Sequence, residues 1–268
     1  MLRKLLRYEL KATGRIFLPL FLALLMFAGI TRFILPPMGP EKWATPAIIS
    51  MFIYIVIMVG MFVMTFIMTI QRFNKNLLSD EGYLMFTLPV KPWKHIASKL
   101  FVSMLWMVAS GIVAVISILI ITLEKGTFTQ FTQAFATYYH QALEQLGTSV
   151  YLLSFEVILG ILVSLASGIL IVYASIAIGH LFNEHKILAS FGAFIVLSTL
   201  SQFFILLISL IPGIAYYTNF QISSYVDFLG IQWLIQMVMA YGIIYTGFLC
   251  AAFFAVTNVI ISKRLNLE

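Results

Sequence analysis

"PAIISMFIYIVIMVGMFVMTFIMTI", residues 46–70, contains no Asp, Glu, Lys, Arg or His. About 20 consecutive apolar residues suffice to cross the hydrocarbon core of a bilayer, so this stretch reads as a membrane span. Five further segments are predominantly apolar over a similar length, at about 16–35, 98–122, 150–180, 188–211 and 232–260. The whole chain agrees with them: 62% of its residues are hydrophobic, 10% are charged and the mean hydropathy is +1.03. A soluble domain carries about 25% charged residues, and too little polar surface exists here to shield this chain from water. The expected fold class is an all-α integral membrane protein with six transmembrane helices.

The first span begins behind a basic stretch, MLRKLLRYELKATGRIFLPLF. Its apolar run continues to about Leu35, too long for a signal-peptide core, and no small-residue cleavage site follows. The chain is therefore expected to keep it. Cys250, the single cysteine, lies in the last apolar segment and rules out an internal disulfide. The pI near 9.4 would suit a nucleic-acid binder. However, the Lys and Arg residues gather at span ends, where the positive-inside rule accounts for them, so no nucleic-acid partner is expected.

That rule also orients the chain. With the N-terminus inside, thirteen of the sixteen Lys and Arg residues face the cytoplasm, leaving Arg32, Lys42 and Lys125 outside. The bias predicts both termini in the cytoplasm, and with them the connector between the second and third spans.

Several elements lie between or before the spans. In residues 1–15, helical spacing puts Leu2, Leu5, Leu6 and Leu10 on one face, with Arg3, Lys4, Arg7 and Lys11 opposite. This is the pattern of a helix lying in the inner headgroup layer, in contact with lipid. Glu9 falls within its apolar face, which suits protein contact better than lipid. On the outer side, Phe128, Phe131, Phe135, Tyr138 and Leu146 recur at helical spacing along 127–147, so an outer amphipathic helix is expected there. Residues 187–226 carry no charge, and Pro212-Gly213 interrupts them. Residues 214–230 are then either an outer loop or a re-entrant helix, and a re-entrant piece must pack against protein. In the fourth span Gly160, Ser164 and Gly168 are spaced for close helix approach.

The connector reads "SDEGYLMFTLPVKPWKH", residues 79–95. Ser79 is a good N-cap, and Asp80 and Glu81 fall in a first turn, where acids oppose the helix dipole. Gly82 and then Tyr83, Leu84, Met85 and Phe86 continue the element to about residue 88, and Pro89 ends it. Pro92 opens the third span, with Trp93, Lys91 and Lys94 at the inner interface. The acidic front faces a negatively charged leaflet, which favours a soluble protein partner over lipid.

No P-loop for ATP is present, nor a zinc-protease helix motif, a Cys/His cluster or a recognisable catalytic triad. Neither enzymatic activity nor a metal or cofactor is expected. His95, His140, His180 and His185 are scattered at membrane borders. Glu156 is the one acid clearly inside a span, about 10 Å from its outer end. An ionisable group there is a candidate polar site.

Residues 79–99, "SDEGYLMFTLPVKPWKHIASK", resemble the segment between the second and third spans of type-2 ABC transporter permeases. The ending "NVIISKRLNLE" (258–268) and the overall layout are similar to small bacterial members of that family. The resemblance implies a permease subunit of an ATP-driven exporter in the bacterial cell membrane. It would form its path as a dimer with the same chain or a relative, and separate cytosolic ABC ATPase subunits would drive it. It further implies that Asp80, Glu81, Gly82, Tyr83 and Phe86 lie on a coupling helix spanning 79–88. The N-terminal segment with Arg3, Lys4, Arg7, Glu9 and Lys11 would be an elbow helix against the ATPase. A self-sufficient secondary transporter or channel using Glu156 is the competing expectation.

Overall fold

A computed structural model of the chain describes residues 2–34, 45–78, 91–122, 127–147, 149–182, 184–209 and 228–263. Among these residues all regular structure is helical. The helices are α1 (Leu2–Ile34), α2 (Thr45–Leu77), α3 (Pro92–Thr122), α4 (Thr127–Leu146), α5 (Ser149–Gly179), α6 (Lys186–Ser209) and α7 (Phe228–Lys263). Six of them, all but α4, are long and apolar enough to cross a membrane. The chain is a multi-pass membrane protein.

The helices depart from the expected spans chiefly at their ends. Residues 1–15 and the first span join into one helix that contains Pro19 and runs for 33 residues. Helix α2 continues past residue 70 through QRFNKNL, polar residues that favour or tolerate a helix. Pro92 opens α3, a position where its missing N–H costs nothing. Gly147 ends α4 with φ near 55°, and its N–H donates to Leu143 O at 2.9 Å. A left-handed residue at a helix C-terminus is the usual place for glycine. Residues 79–90 and 210–227 lie outside the described residues, and with them the expected 79–88 helix and most of the 214–230 segment.

The chain divides into two units. One comprises residues 1–72 and 94–141, and the other 73–93 and 142–268. In the first, α1, α2 and α3 enclose a core of Phe17, Phe21, Leu24, Tyr54, Met61, Met68 and Trp106. Phe17 and Trp106 stack with ring centres 4.6 Å apart. Met61 and Met68 belong to this core and Met51 and Met58 flank it, while Met64 is exposed, so most of these five α2 methionines serve packing. Small polar pairs join α2 to α3: Tyr54 Oη and Ser117 Oγ at 2.8 Å, and Thr65 Oγ1 and Ser110 Oγ at 3.0 Å. With no water available in the hydrocarbon core, such groups satisfy each other across the helix contact. Thr31 Oγ1 donates to Ser50 O, and Arg32 Nη1 to Ile121 O at 3.3 Å, which pins the far ends of the three helices.

In the second unit α5 is the central element and packs on both α6 and α7. Gly160 faces Ile243 of α7, whereas Ser164 and Gly168 are exposed. The expected close approach is therefore confined to one position of the three. Tighter contact occurs at the other end of α5. A Cβ on Gly179 would sit 2.6 Å from Ser190 N and 2.8 Å from Lys186 O, so only glycine fits where the chain turns from α5 into α6. The last turn of α2 also belongs to this unit, and Phe73 stacks on Tyr173 of α5 with ring centres 4.0 Å apart and planes 8° from parallel. Helix α6 has no buried residue among its described side chains. Its Leu, Ile and Phe side chains suit a lipid environment.

Candidate functional site

The most charged place in the described structure is the end of the first unit formed by the start of α1, the end of α2 and the start of α3. On α1 the apolar arc is turned toward the unit's core, with Leu6 and Leu10 packed against it. Arg3, Lys4, Arg7 and Lys11 lie on the opposite, exposed face. The arc meets protein along this edge, the contact that Glu9 in the middle of it favours. Its carboxylate is buried, with Oε1 2.6 Å from Lys99 Nζ of α3 and Oε2 3.9 Å from Arg72 Nη1 of α2. The Glu9 and Lys99 side chains are 4% and 2% exposed, and that of Arg72 is 24% exposed. A short, charge-assisted contact of this kind is among the strongest a side chain makes.

A second chain of hydrogen bonds supports the carboxylate's helix. Trp106 Nε1–H donates to Thr13 Oγ1 at 2.7 Å, and Thr13 Oγ1–H donates to Glu9 O at 2.8 Å. Beside them is a cavity of about 20 Å³ lined by Glu9, Thr69, Arg72, Lys99, Ser103 and Trp106. A cavity of that size holds about one water molecule, and its polar lining supplies the partners a buried water needs. His95, a turn before Lys99, is also buried. The three helices are thus tied together by one acid and two bases.

Lys99 and Arg72 are the functional candidates that the sequence did not single out. Lys99 counts in the sequence only as one of the thirteen Lys and Arg residues expected on the cytoplasmic side. The clue was Glu9, an acid in an apolar arc that requires a buried cation. Asp80, Glu81, Gly82, Tyr83 and Phe86 fall outside the described residues. Arg72 and Lys99, however, stand on the two helices that lead into and out of the 79–90 connector.

Glu156 sits on α5, in the second unit. Its Oε2 atom is sealed from solvent with no hydrogen-bond partner among the described residues, and the same is true of Tyr241 Oη on α7. Tyr245 Oη, one turn on from Tyr241, donates to Ser201 O of α6. One turn along α5 from Glu156, a groove of about 350 Å³ runs past Gly160, Ile161, Ser164 and Met239. Among the described residues no group of three or more His, Cys, Asp or Glu side chains converges as a metal site would require.

Comparison with protein-family models, with curated proteins and with solved structures returns no match. The functional reading therefore rests on the residues themselves.

Proposed function

We propose that this chain is the membrane permease subunit of an ATP-driven exporter. In this reading it works as a dimer, with itself or a related chain, and is driven by cytosolic ABC ATPase subunits. The two termini and the 79–95 connector face the cytoplasm, and Asp80, Glu81, Gly82, Tyr83 and Phe86 form the docking element. The N-terminal part of α1 is the elbow beside it.

One observation carries the reading. Glu9 pairs with Lys99 on α3 and, at longer range, with Arg72 on α2, the two helices on either side of the connector. A partner pressing on the connector moves the ends of both helices, and the buried ion pair makes α1 move with them. Three helices that shift as one body can convert a cytosolic push into a rearrangement across the membrane. The chain has no nucleotide-binding motif of its own, so the energy must come from another subunit.

The test is a double charge reversal, Asp80→Lys with Glu81→Lys, on a tagged chain expressed with its ATPase. The expected result is loss of ATPase co-purification with unchanged amounts of chain in the membrane. Undiminished co-purification would remove the coupling assignment.

The carboxylate oxygen of Glu156 that has no hydrogen-bond partner among the described residues favours a second reading, a secondary transporter or channel that uses this acid for an ion. The two readings separate in liposomes containing this chain alone. The exporter reading expects no uptake driven by an ion gradient. The alternative expects uptake that Glu156→Gln abolishes.

A further inference from the structure

Helix α4 has a partner problem. On its 100° periodicity Phe131, Phe135 and Tyr138 share one arc, flanked by Tyr139, while Gln133, Thr137, His140 and Glu144 occupy the other. The three aromatic residues are 54%, 67% and 72% exposed. Such a stripe is too apolar to be left in water.

Its attachment says what covers it. Residues 123–126 join α4 to α3 and residues 147–148 join it to α5. Fully extended, those links reach no more than about 18 Å and 11 Å. Helices α3 and α5 have 31 residues each, or about 46 Å. A bilayer with its headgroups is about 40–45 Å thick, so the ends that carry α4 emerge at the edge of the headgroup layer. Both ends of α4 are thereby held at one membrane face.

The side chains match that location. Phe and Tyr have an apolar body, and Tyr adds a polar tip, the chemistry enriched where acyl chains meet headgroups. No Lys or Arg occurs between residues 127 and 147, and Glu144 is the sole formal charge. Attraction to anionic lipid therefore plays no part, and burial of the aromatic arc provides the driving force.

We propose that α4 is an interfacial helix, seated lengthwise in the lipid headgroup layer at the membrane face where α3 ends and α5 begins. Phe131, Phe135 and Tyr138 enter the lipid, and Gln133, Thr137 and His140 face water. The inference does not depend on which face is cytoplasmic or on the exporter reading.

The test uses the full chain carrying Cys250→Ala, reconstituted in phosphatidylcholine vesicles. Single cysteines at 131, 135, 138, 133, 137 and 140 are spin-labelled, and their relaxation by oxygen is compared with that by a water-soluble nickel chelate. Oxygen, which concentrates in lipid, is expected to dominate at 131, 135 and 138, and nickel at 133, 137 and 140. Dominance of nickel at all six sites would show a helix standing in water and overturn the proposal. Shielding of 131, 135 and 138 from both reagents would show a protein contact, a second copy included, and overturn it equally. Phe135→Trp keeps an aromatic anchor and gives an independent readout. Lipid brominated near the headgroup should quench it beyond the quenching of the native tryptophans, and absence of added quenching also counts against the helix being in lipid.

Discussion

Lys99→Met should destabilise the chain by about 3–5 kcal/mol, the usual cost of leaving one member of a buried ion pair without its partner. Lys99 Nζ lies 2.6 Å from Glu9 Oε1 and both side chains are almost fully buried. Removing the ammonium strands a carboxylate among Phe17, Trp106 and Val102, beside a cavity with room for about one water molecule. Arg72 cannot take over. At 3.9 Å and partly exposed, it ties α2 to the same carboxylate through a longer contact that does not replace the buried ammonium. The double variant Glu9→Gln with Lys99→Met should recover most of the loss, because removing both charges of a buried pair is often close to neutral. The readout is the thermal midpoint of monodisperse protein in detergent. A single variant as stable as the wild type, or a double variant no better than the single, would show that the ion pair does not hold α1 to α3.

Phe73→Ala should cost about 3–5 kcal/mol, the range for deleting a buried ring. Phe73 and Tyr173 are both fully buried, and their rings lie parallel 4.0 Å apart. Little nearby can fill the space, since Leu77 and Leu170 are already packed to zero exposure. Phe73→Leu keeps much of the volume and should lose less. The effect belongs to the last turn of α2, the turn from which the connector departs. Under the exporter reading, Phe73→Ala should therefore also weaken ATPase stimulation when assayed below the temperature at which the variant unfolds. A wild-type thermal midpoint for Phe73→Ala would remove the anchoring role.

What was legible in the sequence follows from what local chemistry determines. Uncharged runs such as 46–70 announce membrane helices because only helices and closed barrels satisfy the backbone in lipid, and a barrel strand needs just about 9–11 residues. The six apolar helices were accordingly expected. The helix ends were harder. Residues 71–77, QRFNKNL, look like a loop by polarity, yet they extend α2 because Phe73 is clamped against Tyr173, a contact across a hundred positions of sequence. Likewise nothing in residues 1–15 says that they continue into the first span. That continuity goes with Thr13 and Glu9 being held by Trp106 and Lys99. Glu9 was visible as an anomaly within an apolar arc, but its partner lies 90 residues away. Only the register of α1 against α3 identifies it. The Gly160, Ser164, Gly168 series shows the opposite failure. The spacing suits close packing, but Ser164 and Gly168 are exposed, and of the two glycines only Gly160 has another helix against it.

The functional account rests on Tyr83 and its neighbours touching an ATPase, and that contact can be measured directly. A photo-crosslinking amino acid replaces Tyr83 in the full chain, cells containing the native complex are irradiated, and the adduct is isolated through a tag on this chain. The account predicts an adduct with a soluble protein that an azido-ATP analogue also labels. Adducts with lipid alone, or with other parts of this chain, would contradict it.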